Sequence, residues 1–424
     1  MTSSPHSLPV RRGGDTHARD AWVEIDLNKL EANLQTIKTY LREQAKQAGI
    51  AEPLIMGVVK ADAYGHGAVV VAQVLAACGI PWLGVASADE GQQLRQAYCK
   101  LPILILGPTP SWAVKNALQQ RLDLTISSLP QLQEIIDVLE KDKYVVPVHL
   151  KVDTGMHRLG MNKEDASKAI ALLKANKKFK LVSVFSHLAK ASVEDTSSWQ
   201  KQNFDDFIQI FKIENYQPQF LHLASSHGAK HFPFTYYDMV RIGLHMYGLE
   251  SRSASPELIP IMAVRGRINQ INKINKGEAV GYGLTWKSDR PAYIANIPIG
   301  YADGVDRGLS NKMQGLLHNK LIKQVGTISM DQMLFDITDV PQAKEGDVIT
   351  LIGSDDFAAR TNAQGSEQKA EQTCLYLADW ACQLDTITYE IACRLKARLP
   401  RIYTRNQINE RLHKSSFATA EKGK

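Results

Sequence analysis

The sequence predicts an α/β fold in which a (β/α)8 barrel of the TIM type precedes a mostly β C-terminal domain. The first observation is a series of eight short apolar runs that alternate with helical patterns over about two hundred residues, as in such a barrel. These runs are residues 54–59, 82–86, 103–106, 122–126, 146–152, 181–185, 220–223 and 239–244. The second observation is a change after Gly248, where short strands follow without helices between them. A doubly wound sheet is the alternative for the first part, but eight units of even length favour a closed barrel.

The helices are predicted from the spacing of apolar residues. A helix is predicted over residues 28–48, because apolar residues recur there at three- and four-residue spacing, namely Leu30, Leu34, Ile37 and Leu41. Further helices are predicted over residues 68–77, 88–98, 131–139, 163–175 and 199–213. In the C-terminal part we expect strands over residues 261–268, 278–282, 292–297, 321–329, 333–337 and 348–352, and helices over 373–384 and 389–399.

The chain divides into four segments. We expect residues 1–20 to be a disordered N-terminal extension, residues 21–258 the barrel, residues 259–406 the C-terminal β domain and residues 407–424 a polar tail. Residues 354–372 are polar and aperiodic, which predicts a surface loop or local disorder. The length of 424 residues exceeds the roughly 250 residues of one barrel, so two domains are expected.

Composition excludes several classes of protein. The net charge of +6 is spread along the chain without a basic run interleaved with aromatic residues, so we expect no nucleic-acid partner. No apolar run reaches the roughly 18 residues of a membrane span, and residues 1–20 lack the apolar core of a signal peptide. The five cysteines are odd in number and form no C-x-x-C pair, which argues against a disulfide framework or a structural zinc site. A cytoplasmic protein without membrane contact is the expectation.

The first candidate functional residue is Lys60. It follows a buried strand and precedes a loose Gly-His-Gly segment, the position at which barrel enzymes carry their chemistry. A lysine that is partly neutral forms Schiff bases with carbonyl compounds. The alternative is a strand-end lysine whose stem covers apolar surface while its ammonium group reaches water.

Other chemically active side chains fall at the carboxyl ends of the predicted strands, which share one face of a barrel. They are Tyr64, Lys151, Asp153, Arg158, His187, His222, Ser225, Ser226 and Arg241. Barrels often bind phosphate at the loops after strands seven and eight, where this chain has Ser226 and the backbone around Gly243. One lysine together with one phosphate site indicates pyridoxal 5′-phosphate, whose aldehyde needs the first and whose phosphate needs the second.

The same residues lie in motifs that resemble those of the alanine racemases, a family of fold-type III pyridoxal-phosphate enzymes. The motifs are VVKADAYGHG at 58–67, KVDTGMHRLG at 151–160, VRIGLHMYG at 240–248, VGYG at 280–283, IPIGYADG at 297–304, SMDQ at 329–332 and YEI at 389–391. They extend in order over about residues 21–403. The resemblance implies an amino-acid racemase that supplies D-alanine for peptidoglycan.

The resemblance also implies two catalytic bases. Lys60 would bind the cofactor covalently and act as one base, and Tyr282 from a partner subunit would act as the other, which implies a homodimer with shared active sites. Two bases are needed because inversion removes a proton from one face of the α-carbon and delivers one to the opposite face. Arg241 and His187 are the cations expected to lower the pKa of Tyr282.

The remaining roles are implied in the same way. Arg241 would face the pyridine nitrogen, with His222 in support, and Arg158 would bind the substrate carboxylate or the phenolic oxygen of the cofactor. Lys151 matches a lysine that is carbamylated in relatives. The phosphate would be bound by Tyr64, Ser226, Gly243, Leu244 and Tyr389, and the substrate pocket would include Tyr301 and Met330.

This chain departs from the family pattern at Ser225, where asparagine is usual, and at Thr327, where arginine is common. His222, His227 and His231 could be read as metal ligands, but no carboxylate pattern accompanies them and we expect no metal. The alternatives are a racemase of serine or other small amino acids, a fold-type III amino-acid decarboxylase, and a non-catalytic cofactor carrier. The decarboxylases carry a glycine-rich phosphate loop that is not found here, and the carriers lack the β domain.

Overall fold

The computed structural model describes residues 19–250, 258–354 and 374–405. The chain forms two compact units, of which the first contains Leu27–Ile259 and the second contains the residues up to Asp26 together with Pro260–Arg405. The predicted N-terminal extension, apart from its last two residues, the polar segment after Ser354 and the C-terminal tail lie outside the described residues. The first strand, β1 (Ala21–Asp26), thus belongs with the C-terminal unit, whereas the sequence had suggested that the barrel begins at residue 21.

The first unit is an eight-stranded parallel sheet curved into a nearly closed barrel, which confirms the predicted fold class. Its strands are β2 (Leu54–Val58), β3 (Trp82–Val85), β4 (Ile103–Pro108), β5 (Asp123–Ile126), β6 (Val146–Lys151), β7 (Phe179–Phe185), β8 (Phe220–His222) and β9 (Met239–Ile242). Neighbours follow chain order from β2 to β8, and β9 pairs with β2. The barrel closes between β8 and β9 through an isolated bridge between Ser225, three residues after β8, and Arg241 on β9.

Helices follow most of the barrel strands. The helix Leu27–Ala48 precedes β2, and the helices after the strands are Ala68–Ala77, Ala88–Gln96, Val114–Gln119, Leu129–Val138, Lys163–Ala175, Glu194–Ile213 and Ser226–His231. Three of them begin at a side chain that accepts a hydrogen bond from the first turn, namely Ser87, Ser128 and Asn162. Among the described residues, no helix combines the length and apolarity that a membrane crossing requires.

Apolar side chains fill the barrel interior from several strands. Met56, Leu104 and Met239 are almost fully buried and pack together, with Trp82 and Phe220 against them. Parallel strands with both faces covered carry such near-continuous apolar runs, which is why the sequence pattern revealed them.

The second unit is built mainly of β-strands. They are β1, β10 (Met262–Arg267), β11 (Gln270–Ile274), β12 (Ala279–Val280), β13 (Trp286–Lys287), β14 (Ala292–Ile297), β15 (Gln314–Leu317), β16 (Lys320–Val325), β17 (Met333–Asp336), β18 (Val348–Ser354), β19 (Cys374–Leu375) and β20 (Arg401–Thr404). The main sheet has the order β11-β14-β17-β16-β15-β18-β10-β1-β20. Two helices, Leu377–Gln383 and Thr388–Arg394, follow β19.

The structure differs from the sequence prediction at the margins of this sheet. The predicted last helix over 389–399 is instead Thr388–Arg394, and strand β20 follows it in parallel with β1. The strands β11 and β20 form the two ends of the main sheet, where side chains are exposed and apolar alternation is weak. The predicted strand over 278–282 is reduced to Ala279–Val280, because the chain turns at Gly281 and places Tyr282 in a short 3-10 turn.

A substitution that leaves a cavity in the barrel core should lower the stability of the protein. We expect Leu104→Ala to lower the free energy of unfolding by about 3 kcal/mol, because a fully buried side chain is lost from a packed interior. The matched control is Val145→Ala, which removes an exposed side chain beside β6 and should change the free energy by less than about 0.5 kcal/mol. Urea unfolding followed by tryptophan fluorescence measures both. Equal effects of the two substitutions would contradict this assignment of the core.

Candidate active site

Five strands of the barrel bring cations and imidazoles to their carboxyl ends. Lys60 lies two residues after β2, Lys151 is the last residue of β6 and His187 lies two residues after β7. His222 is the last residue of β8, and Arg241 lies within β9. The carboxyl ends of parallel strands share one face, so the barrel collects these predicted residues into one region.

Arg241 is buried, and both terminal nitrogens of its guanidinium group make hydrogen bonds. Nη1 donates to Nδ1 of His222 at 2.9 Å and to the carbonyl oxygen of the same residue at 3.2 Å. Nη2 donates to Nδ1 of His187 at 3.0 Å and to the carbonyl oxygens of Ser186 and Leu223 at 2.8 and 2.9 Å. Burial lowers the pKa of Arg241 to about 9, which leaves the group charged at neutral pH.

The two histidines that face Arg241 are neutral. Burial, followed by the positive charge of Arg241, holds the pKa of His187 well below its ordinary value. Burial and Arg241 act on the pKa of His222 in the same direction. Both imidazoles therefore accept hydrogen bonds from the arginine, and the expectation that His187 is a cation is wrong, because burial keeps its ring neutral.

Lys151 is buried among cations. Burial lowers its pKa to about 7, and the charges of Arg241, Arg158 and Lys60 act in the same direction, in that order. The Asp153 carboxylate acts in the opposite direction. The Lys151 ammonium group lies 4.9 Å from the centre of the Phe185 ring, which also faces the Arg241 guanidinium at 5.6 Å. A substantial fraction of Lys151 is thus a neutral amine at physiological pH.

The segment after Lys60 is a left-handed turn. Ala61, Asp62, Ala63 and Tyr64 all have φ between 52° and 56°, a conformation that side chains with a Cβ disfavour by roughly 1–2 kcal/mol per residue. Neighbouring groups hold it: the Glu90 carboxylate accepts from the amide of Ala61 at 2.8 Å, and the Asp62 carboxylate accepts from the amide of Ala68 at 2.7 Å. Strain of this kind is characteristic of functional sites, where it fixes the direction of particular side chains.

Three of the predicted phosphate ligands converge beside this turn. The Gly243 amide donates to the Ser226 hydroxyl at 3.1 Å, and a Cβ at Gly243 would lie only 2.7 Å from the Tyr64 hydroxyl oxygen. Glycine is therefore required at 243 by the approach of Tyr64. Leu244 follows and is buried. The centres of the Tyr64 and Tyr247 rings lie 5.2 Å apart, so the Tyr64 ring packs against Tyr247.

The loop after β6 places Arg158. One carboxylate oxygen of Asp153 accepts the amides of Gly155, Met156 and His157 at 2.9 to 3.1 Å. Although burial raises the pKa of Asp153, these backbone hydrogen bonds outweigh it and keep the pKa below its ordinary value. The loop is thus rigid around an ionised carboxylate, and Arg158 extends from it as an exposed side chain.

The other predicted site residues lie in the second unit. Tyr282 is 74% exposed, and Tyr301 and Met330 are also exposed. Backbone hydrogen bonds join Tyr301 to Ser329 and Ala302 to Met330, each at 3.0 Å. The side chain of Thr327, a departure from the family pattern, contacts Thr285 at 3.2 Å. Tyr389 is the second residue of the helix Thr388–Arg394.

Sequence reasoning missed two residues that hold the barrel site together. Glu90 binds the amides of both Ala61 and Ala86, although the Ser87-x-x-Glu90 spacing predicts only a helix capping box. Gln200 lies on the helix Glu194–Ile213, and its amide nitrogen donates to Thr154 at 3.3 Å and to the His187 carbonyl oxygen at 3.2 Å. A buried glutamine on the apolar face of a helix is the signal that could have found it.

A separate cluster contains His227, His245 and Glu250, whose ligand atoms lie within 4.8 Å of one another. The Lys230 ammonium group lies 3.0 Å from one Glu250 oxygen, and Nε2 of His245 lies 3.1 Å from the other. Against the effect of burial, these two partners lower the pKa of Glu250 to about 2. The carboxylate is thus already paired with the Lys230 ammonium group, and the expectation of no metal stays a prediction.

The barrel residues fit pyridoxal 5′-phosphate on chemical grounds. The donors at Tyr64, Ser226 and Gly243 form a cradle that a side chain at 243 would fill. Lys60 supplies an amine on the same face, in a region whose charge is positive and therefore suits a phosphate-bearing ligand. The cofactor would be held by Lys60 at its aldehyde, by this cradle at its phosphate, and by Arg241 at its ring.

Comparison of the sequence with protein families gives two consecutive matches. A family model described as alanine racemase, N-terminal domain, matches residues 25–251, and one described as alanine racemase, C-terminal domain, matches residues 261–403. An alanine racemase from Nostoc sp. is 39% identical over 92% of this chain and 97% of its own length. One from Synechocystis sp. is also 39% identical, over 90% of this chain and 98% of its own length.

Solved structures give the same result. An alanine racemase from Clostridium difficile superposes with a TM-score of 0.81 at 31% identity, covering 92% of this chain and 97% of its own. The alanine racemase of Bacillus anthracis with bound L-Ala-P has a TM-score of 0.81 at 30% identity over 92% of this chain. That of Bartonella henselae, with covalently bound pyridoxal phosphate, has a TM-score of 0.76 at 28% identity, covering 91% of this chain and 99% of its own.

The electrostatics of Lys151 are directly measurable. In carbonate-free buffer, we expect its amine to titrate near pH 7, so that it is protonated at pH 6 and mostly neutral at pH 8. Removal of a neighbouring cation by Arg158→Ala should raise the midpoint, because protonation then meets less repulsion. NMR of labelled lysine measures both values. The control Lys163→Ala removes a surface cation paired with Asp206 and should leave the midpoint unchanged. An unperturbed titration above pH 10 would contradict the charge arrangement.

Proposed function

The chain belongs to the alanine racemase family, and we propose that it interconverts L-alanine and D-alanine with pyridoxal 5′-phosphate as its cofactor. The observation that carries the proposal is the barrel face that combines the Lys60 amine with the Tyr64, Ser226 and Gly243 cradle. The related enzyme from Bartonella henselae carries the same cofactor covalently. The cofactor, when bound, supplies an electron sink for the charge left on the α-carbon after its proton is removed.

Arg241 sets the electronic character of this site. Its guanidinium group remains charged near neutral pH and is fixed by His222, His187 and three backbone oxygens. Arg241 would hold the ring of the cofactor at its pyridine nitrogen, and a group that keeps its own proton would leave that nitrogen unprotonated. A modest electron sink favours rapid return of the proton, which suits racemisation better than reactions that need a longer-lived carbanion.

Lys151 and Arg158 are assigned to the substrate side. We infer that Lys151 is carbamylated, because its lowered pKa supplies the neutral amine that reacts with carbon dioxide. The carbamate would place a negative charge between Arg241 and Arg158 and would orient Arg158 toward the substrate carboxylate. A carbamate carbon resonance from ¹³C-labelled bicarbonate, increasing as the pH rises through 7 at fixed dissolved carbon dioxide and absent in Lys151→Gln, is the corresponding test.

Lys60 and Tyr282 are proposed as the two bases, one for each face of the α-carbon. Tyr282 is 74% exposed on its own unit, and Tyr301 and Met330 are exposed as well. Exposed aromatic and apolar side chains of this kind mark a surface that another molecule covers. We infer that they complete the active site of a partner subunit in a homodimer, together with Tyr389 at the phosphate. We also retain two expectations, that the enzyme is cytoplasmic and that it supplies D-alanine for peptidoglycan. Complementation of a D-alanine auxotroph tests the supply of D-alanine.

The proposal is tested by assaying the purified, cofactor-loaded protein with L-alanine and with D-alanine. We expect each enantiomer to yield the other. We expect Lys60→Ala to abolish turnover while the protein remains folded, as measured by circular dichroism. Parallel incubations with L-serine and L-lysine decide between the alternatives. Conversion of serine at a comparable rate would indicate a racemase of broader range, and carbon dioxide release from lysine would replace the proposal with a decarboxylase.

A mixing experiment tests the shared active site. Lys60→Ala and Tyr282→Phe each remove one of the two bases, so each homodimer should be inactive in racemisation. After subunit exchange, a mixed dimer contains one site with both bases and one with neither, so about one quarter of all sites should recover in an equal mixture. Chiral chromatography of the alanine measures the recovery. No recovery, with subunit exchange confirmed by differently tagged chains, would mean that the two bases come from one chain.

A further inference from the structure

A line of polar side chains, buried except for the partly exposed Asp123, crosses the barrel interior with one member from each of five consecutive strands. Asp123 lies on β5, His149 on β6, Ser183 on β7, His222 on β8 and Arg241 on β9. The Asp123 carboxylate lies 3.1 Å from Nε2 of His149. Nδ1 of His149 lies 2.6 Å from the Ser183 hydroxyl, which in turn lies 2.8 Å from Nε2 of His222. Nδ1 of His222 then accepts from Arg241 at 2.9 Å.

The two ends of this line fix the direction of its hydrogen bonds. A guanidinium group can only donate, so Nδ1 of His222 accepts and its proton resides on Nε2. The His222 ring is neutral, since burial and the charge of Arg241 hold its pKa well below the ordinary range. His222 therefore donates to the Ser183 hydroxyl. The hydroxyl proton is then directed to Nδ1 of His149, and Nε2 of His149 donates to the Asp123 carboxylate, which can only accept.

The surroundings hold these groups in place. His149, Ser183 and His222 are each 1% exposed. The His222 ring stacks on Phe185 at 4.8 Å with an interplanar angle of 4°, and the edge of the Trp82 ring system meets His149 at 5.4 Å. Hydrogen bonds in a chain of this kind polarise one another where water is excluded, so the effect of a charge at one end extends beyond its direct neighbour.

We propose that Asp123 acts through His149 and Ser183 as a positioning residue for Arg241. The Asp123 carboxylate draws the hydrogen bonds of the line toward itself, which makes Nδ1 of His222 a stronger acceptor for the guanidinium group. The positive charge of Arg241 is thereby stabilised by a carboxylate from which three side chains, His149, Ser183 and His222, separate it. The consequence for catalysis rests on the proposed racemase function, whereas the existence of the coupling does not.

The coupling is tested first without cofactor or substrate. In protein with ring-¹⁵N-labelled histidine, assigned with His149→Gln and His222→Gln, the direction of the hydrogen bonds predicts that both rings carry their proton on Nε2. Asp123→Asn keeps the shape of the acceptor but removes its charge. We expect the Nε2 proton resonance of His149 to move upfield, and that of His222 to move in the same direction by a smaller amount, because the polarisation is relayed.

The matched control is Thr125→Val, on the same strand as Asp123. It removes a buried hydroxyl that donates to the Ile105 carbonyl oxygen at 2.6 Å and takes no part in the line. We expect neither histidine resonance to move in this variant. A shift confined to His149 in Asp123→Asn, a cationic His149, or equal shifts in the control would each overturn the proposal. Ser183→Ala gives a second test, since it should abolish the effect of Asp123→Asn on His222.

Kinetic measurements on Asp123→Asn test the positioning role separately from the proposed racemase function. In the loaded enzyme we expect Asp123→Asn to lower kcat about tenfold, the scale of one charge-assisted hydrogen bond, with KM for alanine nearly unchanged. KM is preserved because the line ends at Arg241 and not at the substrate carboxylate. Coupled resonances in a protein without alanine turnover would refute the racemase proposal alone. Uncoupled resonances in an active racemase would refute the positioning role alone.

Discussion

The barrel site depends on the burial of one permanent positive charge. Arg241 is 5% exposed, and removal of a guanidinium group from water is costly unless each donor finds an acceptor. The barrel meets this requirement with two neutral imidazoles and three backbone oxygens, contributed by segments around β7 and β8. The histidines must remain neutral for this arrangement to work, and the same burial that makes the arginine costly also keeps them neutral.

The charge of Arg241 also affects its neighbours. Together with Arg158 and Lys60 it lowers the pKa of Lys151 to about 7, after the larger effect of burial. A protein face with so many cations and so few carboxylates is suited to an anionic ligand, and the cradle of Tyr64, Ser226 and Gly243 offers neutral donors at one side of it. The strained turn after Lys60 fixes the direction of Tyr64 toward Gly243, so the amine and the cradle are set by one short segment. Electrostatics and backbone strain therefore act on the same few residues.

Much of this arrangement was predictable because it follows from local patterns. The eight barrel strands are short, mostly apolar runs, and Lys60, His222 and Arg241 lie at or near the carboxyl ends of three of them, so the strands and this clustering could be read from the sequence. The strands β11 and β20, at the two ends of their sheet, were missed, and so was β15, a four-residue strand inside the sheet that is too short to show alternation. The pairing of β1 with β10 and β20 was also missed, since it joins residues far apart in the chain.

Long-range contacts account for the rest. The left-handed turn at Ala61–Tyr64 contains no glycine, so its sequence gives no local sign of its conformation. Glu90, from the next strand-helix unit, supports the turn by accepting from the Ala61 amide. The line from Asp123 to Arg241 joins five strands through side chains that are far apart in the chain. In sequence, each of these residues looks like an isolated polar interruption of a strand.

The central claim is that two bases act on opposite faces of the α-carbon of alanine. It is tested most directly by incubating the cofactor-loaded protein with L-alanine in heavy water and measuring both D-alanine and deuterium at the α-carbon. The account predicts D-alanine that carries deuterium, because the proton removed from one face is replaced from the other by a base in exchange with solvent. Deuterium in L-alanine without D-alanine would contradict it, since a single working base returns a proton to the face from which it came.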